Sequence, residues 1–244
     1  MIVHSCASFD SIFTENNFTE IKESLKCLNC RQLFIKIAPN KIDSFLDSFH
    51  SNALKLLTLL AHVCPLFPLF YKRLDILLTM HDNPDLIKET ISCQLALLNL
   101  HSLDSSLRAN ELMNLYIHGL IMSSTSKNIF LSAVTDLLPD LHSDSILYLN
   151  QLVILSTDSL STYPIPCIKL LKSLIKYCWP RIQYHSKFIL NRVLACWYQF
   201  HLNGNKNHDD EFKEFINELS VFCNRDYLLK CKTARNGVFR RVIL

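Results

Sequence analysis

Residues 163–200 read YPIPCIKLLKSLIKYCWPRIQYHSKFILNRVLACWYQF. The spacing predicts one helix, a corner at Cys178-Trp179-Pro180-Arg181, and a second helix returning. Leu170, Leu171, Leu174, Ile175 and Cys178 share a face of the first helix. Lys169, Lys172 and Lys176 recur at i, i+3 and i+7 and share another. Both tryptophans of the chain, Trp179 and Trp197, fall in this stretch. No Asp or Glu occurs between Asp158 and Asp209, whereas Lys169, Lys172, Lys176, Arg181, Lys187, Arg192 and Lys206 all do. A helical hairpin with aromatic anchors and one sign of charge reads as a contact surface, not as an active site.

The rest of the composition agrees with an all-helical chain. Only three of 244 residues are glycine, and they are far apart: Gly119, Gly204 and Gly237. Tight hairpins and phosphate loops need glycine for positive φ and close backbone approach. A rich β fold is therefore not expected, and a dinucleotide fingerprint and a P-loop are excluded. With 49% hydrophobic residues, the chain has material for a core.

Periodicity extends the helical reading outward from residue 163. A loose arm is expected over residues 1–17. Helices are expected from Phe18 to Ile37, from Asn40 to His62, and from Leu66 to Met80. Asn83 before Pro84 is a start signal, with Asn83 as cap and Pro84 at the first helical position. That helix is expected to run to Leu100, and the next from Asp104 or Ser105 to Met122. Ser124-Thr125-Ser126 reads as a turn and cap before Lys127–Leu138. Pro139-Asp140 is expected to break the pattern. Ser143–Ser156 follows, with Ile146, Leu149, Leu152 and Val153 on one face. After the 163–200 hairpin, residues 202–208 read as a loop. Asp209–Cys223 reads as an amphipathic helix with Phe212, Phe215, Ile216, Leu219 and Phe222 inward. The expected architecture is an all-α, HEAT-like α-solenoid of about ten to eleven antiparallel helices. A weak echo of residues 53–57 and Cys64 in residues 167–171 and Cys178 points the same way.

Residues 1–157 carry 11 Lys/Arg against 15 Asp/Glu, and residues 158–244 carry 14 against 7. The charge changes sign within Thr157–Pro166, the expected boundary between an N-terminal helical-repeat part (18–157) and a basic C-terminal part (158–244). A basic third fits an acidic partner or a solvated face. Nucleic acid fits less well, because the lysine strip has no interleaved aromatics and the overall excess is small.

Catalytic and metal signatures are weak. Cys27 and Cys30 have the spacing of half a zinc site, but a structural site needs four ligands and no second pair follows. Asp209-Asp210-Glu211 resembles the start of an acidic metal motif; negative charge at a helix N-terminus explains it better. No zinc-protease or nucleophile-elbow motif is present. No cofactor is expected. The cysteines sit in apolar helical runs, where a thiol behaves as a small hydrophobe, which predicts a reducing, intracellular compartment. The start of the chain has no secretory or mitochondrial pattern. The apolar window Leu56–Tyr71 is interrupted by His62, Pro65 and Pro68, and is too short for a bilayer.

Leu170–Trp197, with its Trp-Pro-Arg corner and the Leu-x-x-Val-Leu-x-x-Trp helix after it, resembles the Tel-two-interacting protein two (Tti-two) family. The resemblance implies a non-catalytic, HEAT-like adaptor, cytoplasmic and nuclear. Such proteins join Tel-two and Tti-one in a complex that works with heat-shock-protein-ninety chaperones. The complex matures and stabilises phosphatidylinositol-3-kinase-related kinases, which act in the DNA damage response, telomere maintenance and nutrient signalling. Expected partner-binding residues are Lys169, Lys172, Lys176, Trp179, Pro180, Arg181, Arg192 and Trp197. Core packing is an equal expectation for each tryptophan. A different HEAT-like adaptor in transport or trafficking, or a helical lipid or isoprenoid enzyme, are the alternatives.

Overall fold

The structure, a computed structural model, describes residue 54 and residues 68–80, 83–100, 105–204 and 208–222. Several expectations lie outside these residues: the arm over 1–17, the first two helices, Cys27 and Cys30, most of the Leu56–Tyr71 window and its echo, and the basic tail beyond Phe222. Among the described residues the chain is helical, with no strand. It divides into two compact units at Ser105 and Ser106.

In the first unit, α1 (Pro68–Met80) packs on α2 (Pro84–Leu100). The Asn83 side chain caps α2 as the sequence predicts. Its Oδ1 accepts the Asp85 N–H at 3.0 Å and the Leu86 N–H at 3.4 Å. This satisfies donors that a helix start otherwise leaves open. Leu74, Leu77 and Leu78 of α1 and Leu86, Ile87, Ile91, Leu97 and Leu98 of α2 are buried. Buried Gln94 is held by donating to Asp75 Oδ1 at 2.8 Å.

The second unit contains α3 (Ser105–Met122), α4 (Lys127–Leu141), α5 (Ser145–Asp158), α6 (Pro164–Tyr177), α7 (Ser186–Leu202) and α8 (Asp209–Phe222). Helix α6 is its centre. Its apolar face, Cys167, Ile168, Leu170, Leu171, Leu174 and Ile175, is buried, and the helix packs on α4, α5 and α8. Helices α5 and α7 also touch one another. Helices α4 to α8 thus each meet a next-but-one neighbour, with α4, α6 and α8 in one row and α5 and α7 in another. The turn at 159–163 between α5 and α6 lies inside this unit.

Two local expectations are corrected. Pro139 does not break its helix: α4 continues through it to Leu141. Proline costs most in a helix interior, where it removes a ladder bond and crowds the carbonyl four residues back. Here it stands in the last turn, and buried Leu137, Leu138 and Leu141 hold that turn to the core. The helix ends at His142, whose φ of 48° turns the chain. The second correction concerns Ser126, whose side chain makes no cap bond to α4. Instead Ser123 Oγ accepts the Ser126 N–H at 2.9 Å.

Candidate partner-binding surface

The corner after α6 is built from its backbone outward. The Cys178 N–H closes α6 on the Leu174 carbonyl at 2.9 Å. A cis Trp179–Pro180 peptide follows. Arg181–His185 then forms a short 3-10 turn pinned by buried Ile182, so the corner is longer than the sequence predicts. Ser145, the first residue of α5, ties that helix to the corner. Its hydroxyl donates to the His142 carbonyl at 2.7 Å, with the Tyr177 carbonyl 3.4 Å away, and accepts from the Cys178 thiol at 3.5 Å. Burial pushes the Cys178 thiol above its ordinary pKa, and the Ser145 contact pulls it partly back.

The expected lysine strip separates into three environments. Lys172 Nζ lies 2.9 Å from Glu214 Oε1 and 3.7 Å from Glu218 Oε2, so it is turned across to α8. Lys169 is exposed and acts on Asp136 of α4: burial raises that carboxyl, and the lysine's charge opposes the rise. Lys176 is exposed, with its ammonium 4.9 Å from the Tyr177 ring centre.

The two tryptophans part company. Trp179 is 44% exposed, beside exposed Pro180 and Arg181. Trp197 is in the core at 1%. Its indole N–H donates to Asp209 Oδ1 at 2.8 Å, and its ring stacks parallel to Phe212 at 6.1 Å. His201 Nε2 is 3.1 Å from the same Asp209 oxygen, and the His201 ring lies 5.6 Å from the Trp197 ring. Asp209, the first residue of the acidic triplet, therefore fastens the start of α8 to α7. Arg192 is exposed on α7, 5.4 Å over the Phe188 ring and 3.9 Å from Asp158 Oδ1.

The structure adds residues that the sequence reading left out. Tyr184 is 84% exposed and Phe188 40%, both within the corner and the start of α7. Ile146, expected inward, is 41% exposed, and Leu147 is 76% exposed. Leu147 falls outside the i, i+3, i+7 stripe of α5, and an apolar residue off the stripe is the signal that would have found it. Ile146 lies in the first turn of α5, ahead of the buried Leu149, Leu152 and Val153.

Among the described residues, no group of three or more His, Cys, Asp or Glu side chains is arranged to hold a metal ion. No helix among them is long and apolar enough to cross a membrane. Comparisons with protein-family models, with curated proteins and with solved structures return no match.

Proposed function

We propose that the chain is a non-catalytic helical adaptor of HEAT-like solenoid type. In this reading it is the Tti-two-like subunit of a complex with Tel-two-like and Tti-one-like partners, working with heat-shock-protein-ninety chaperones on phosphatidylinositol-3-kinase-related kinases in cytoplasm and nucleus. The observation that carries an adaptor role is the corner itself: Trp179, Pro180 and Arg181 stand at the surface in the stretch that bears the resemblance. Trp, Tyr and Arg are the residues that dominate binding energy at protein interfaces, and here they lie within a few positions of each other. The next-but-one packing of α4, α6 and α8 is in keeping with a solenoid, whose helices stack repeat on repeat.

The test is affinity capture of the tagged full chain with identification by mass spectrometry. Recovery of large helical-repeat subunits together with the kinases' chaperones is the expected result. Trp179→Ala should lose those partners while the chain stays helical by circular dichroism. Capture that yields neither subunit nor chaperone would reject the assignment.

A further inference from the structure

We infer that the end of the second unit formed by Leu147, Trp179, Tyr184 and Phe188 is a docking site for an acidic protein segment carrying bulky apolar side chains. The inference rests on the adaptor reading and adds the chemistry of what is bound.

Three elements supply this end. Helix α5 begins there, held to the corner by Ser145 contacts with Tyr177 and Cys178. The 3-10 turn at 181–185 packs against both α5 and α7. Helix α7 starts directly behind it. The side chains they leave at the surface are apolar and large: Ile146, Leu147, Trp179, Tyr184 and Phe188. Large apolar side chains gathered at one end of a helical unit mark an interaction site more often than single scattered ones do.

Charge decides what covers them. The cations at this end are Lys176, Arg181 and Lys187, all exposed, and no acid of the chain lies between Asp158 and Asp209. The carboxylates that α4 and α5 bring nearby are engaged locally. Asp144 accepts from Asn110 at 2.8 Å, Asp140 lies close enough to His142 for its charge to be felt, and Asp158 lies 3.9 Å from Arg192, which sits over Phe188. A segment with acidic residues around leucine or phenylalanine would match both the apolar centre and the basic rim.

Single-stranded nucleic acid is the competing occupant, since aromatics and cations alternate here. Two observations favour protein. Base stacking uses ring faces, and one face of the Phe188 ring already carries Arg192. Ile146 and Leu147 are aliphatic and offer a base no stacking face.

Fluorescence anisotropy on the full chain tests the site, with three labelled probes at low salt. They are a peptide alternating glutamate with leucine and phenylalanine, its lysine-for-glutamate counterpart, and oligouridine. The glutamate peptide should bind, weaken as salt rises, and lose about tenfold or more in affinity with Arg181→Glu and with Leu147→Asp. Tyr184→Glu is a third variant, and all three replace exposed side chains, so circular dichroism should be unchanged. No binding, binding indifferent to all three variants, or a preference for oligouridine would overturn the proposal. The two readings fail separately. If the peptide does not bind and the subunits are still captured, the docking site is wrong and the adaptor stands. If the peptide binds here and no subunit is captured, the site stands and the complex is wrong.

Discussion

At Gly119 the absence of a side chain is a packing requirement. Alanine in a helix interior is ordinarily favoured over glycine by about 1 kcal/mol. A Cβ at Gly119, however, would run into the Phe130 ring, with Cε2 at 2.8 Å and Cε1 and Cζ nearer still. Phe130 is buried and sits against Tyr116, ring centres 6.4 Å apart, so it has little room to retreat. Gly119→Ala should therefore destabilise by about 1–3 kcal/mol, the usual cost of overpacking. Chemical denaturation measures it, and the double variant with Phe130→Leu should cost less than the two single changes added together. Unchanged or raised stability in Gly119→Ala would show that the α3–α4 contact is looser than drawn. Periodicity places Gly119 on a helix but is silent about the ring it faces. The same holds for Trp197: residue type alone leaves core and contact open, and the bond to Asp209 that settles it joins two helices across a loop.

Helices α6 and α8 show which side of an element the sequence discloses. The apolar face of α6 was readable from Leu170 to Cys178, because burial imposes a 3.6-residue repeat on the chain; the structure extends it to Cys167 and Ile168. The polar face was not. Lys169, Lys172 and Lys176 share a face by spacing, yet which acid meets which lysine depends on the neighbours packed alongside. Glu214 and Glu218 of α8 reach Lys172, and nothing in α6 itself announces them. The energies follow the same division. Glu214 is largely exposed, and exposed ion pairs contribute about 0–1 kcal/mol. Lys172→Ala should thus lower stability by less than about 1 kcal/mol, whereas Leu171→Ala, at a fully buried position, should cost about 2–5 kcal/mol. Lys172→Glu should exceed Lys172→Ala and recover as salt is raised, since it sets three carboxylates together. Urea midpoints for the three variants at low and high salt check the order. A Lys172→Ala loss rivalling Leu171→Ala would mean that the pair, not the apolar face, seats α8 on α6.

For the whole molecule, composition carried the fold class and the tertiary structure carried the chemistry. Scarce glycine and helical periodicity were enough to predict an all-helical chain, and the described residues are helical. Chain division was less legible. The charge switch near residue 158 marks a change in surface, whereas the compact units part at Ser105 and Ser106, where neither charge nor composition shifts. The cysteines link composition to stability. Cys167 of α6 and Cys196 of α7 are near enough for their charges to oppose one another; burial and that repulsion push Cys167 up to about 12, and burial lifts Cys196 to about 11. In the unfolded chain such thiols ionise near 9. Above that value the unfolded state releases a proton that the folded state keeps, so stability is full below about pH 9 and falls as pH rises toward the folded values. Tyr148, also raised by burial, acts in the same direction at higher pH, so the thiol has to be isolated by substitution. Between about pH 7.5 and pH 10.5, the urea midpoint of the native chain should fall more steeply than that of Cys167→Ala. In the same window native Cys167 should resist alkylation, because the thiolate is the reactive form and burial suppresses it. Equal slopes for the two proteins, together with rapid alkylation of Cys167 in the folded state, would place that thiol at the surface and remove α6 from the centre of its unit.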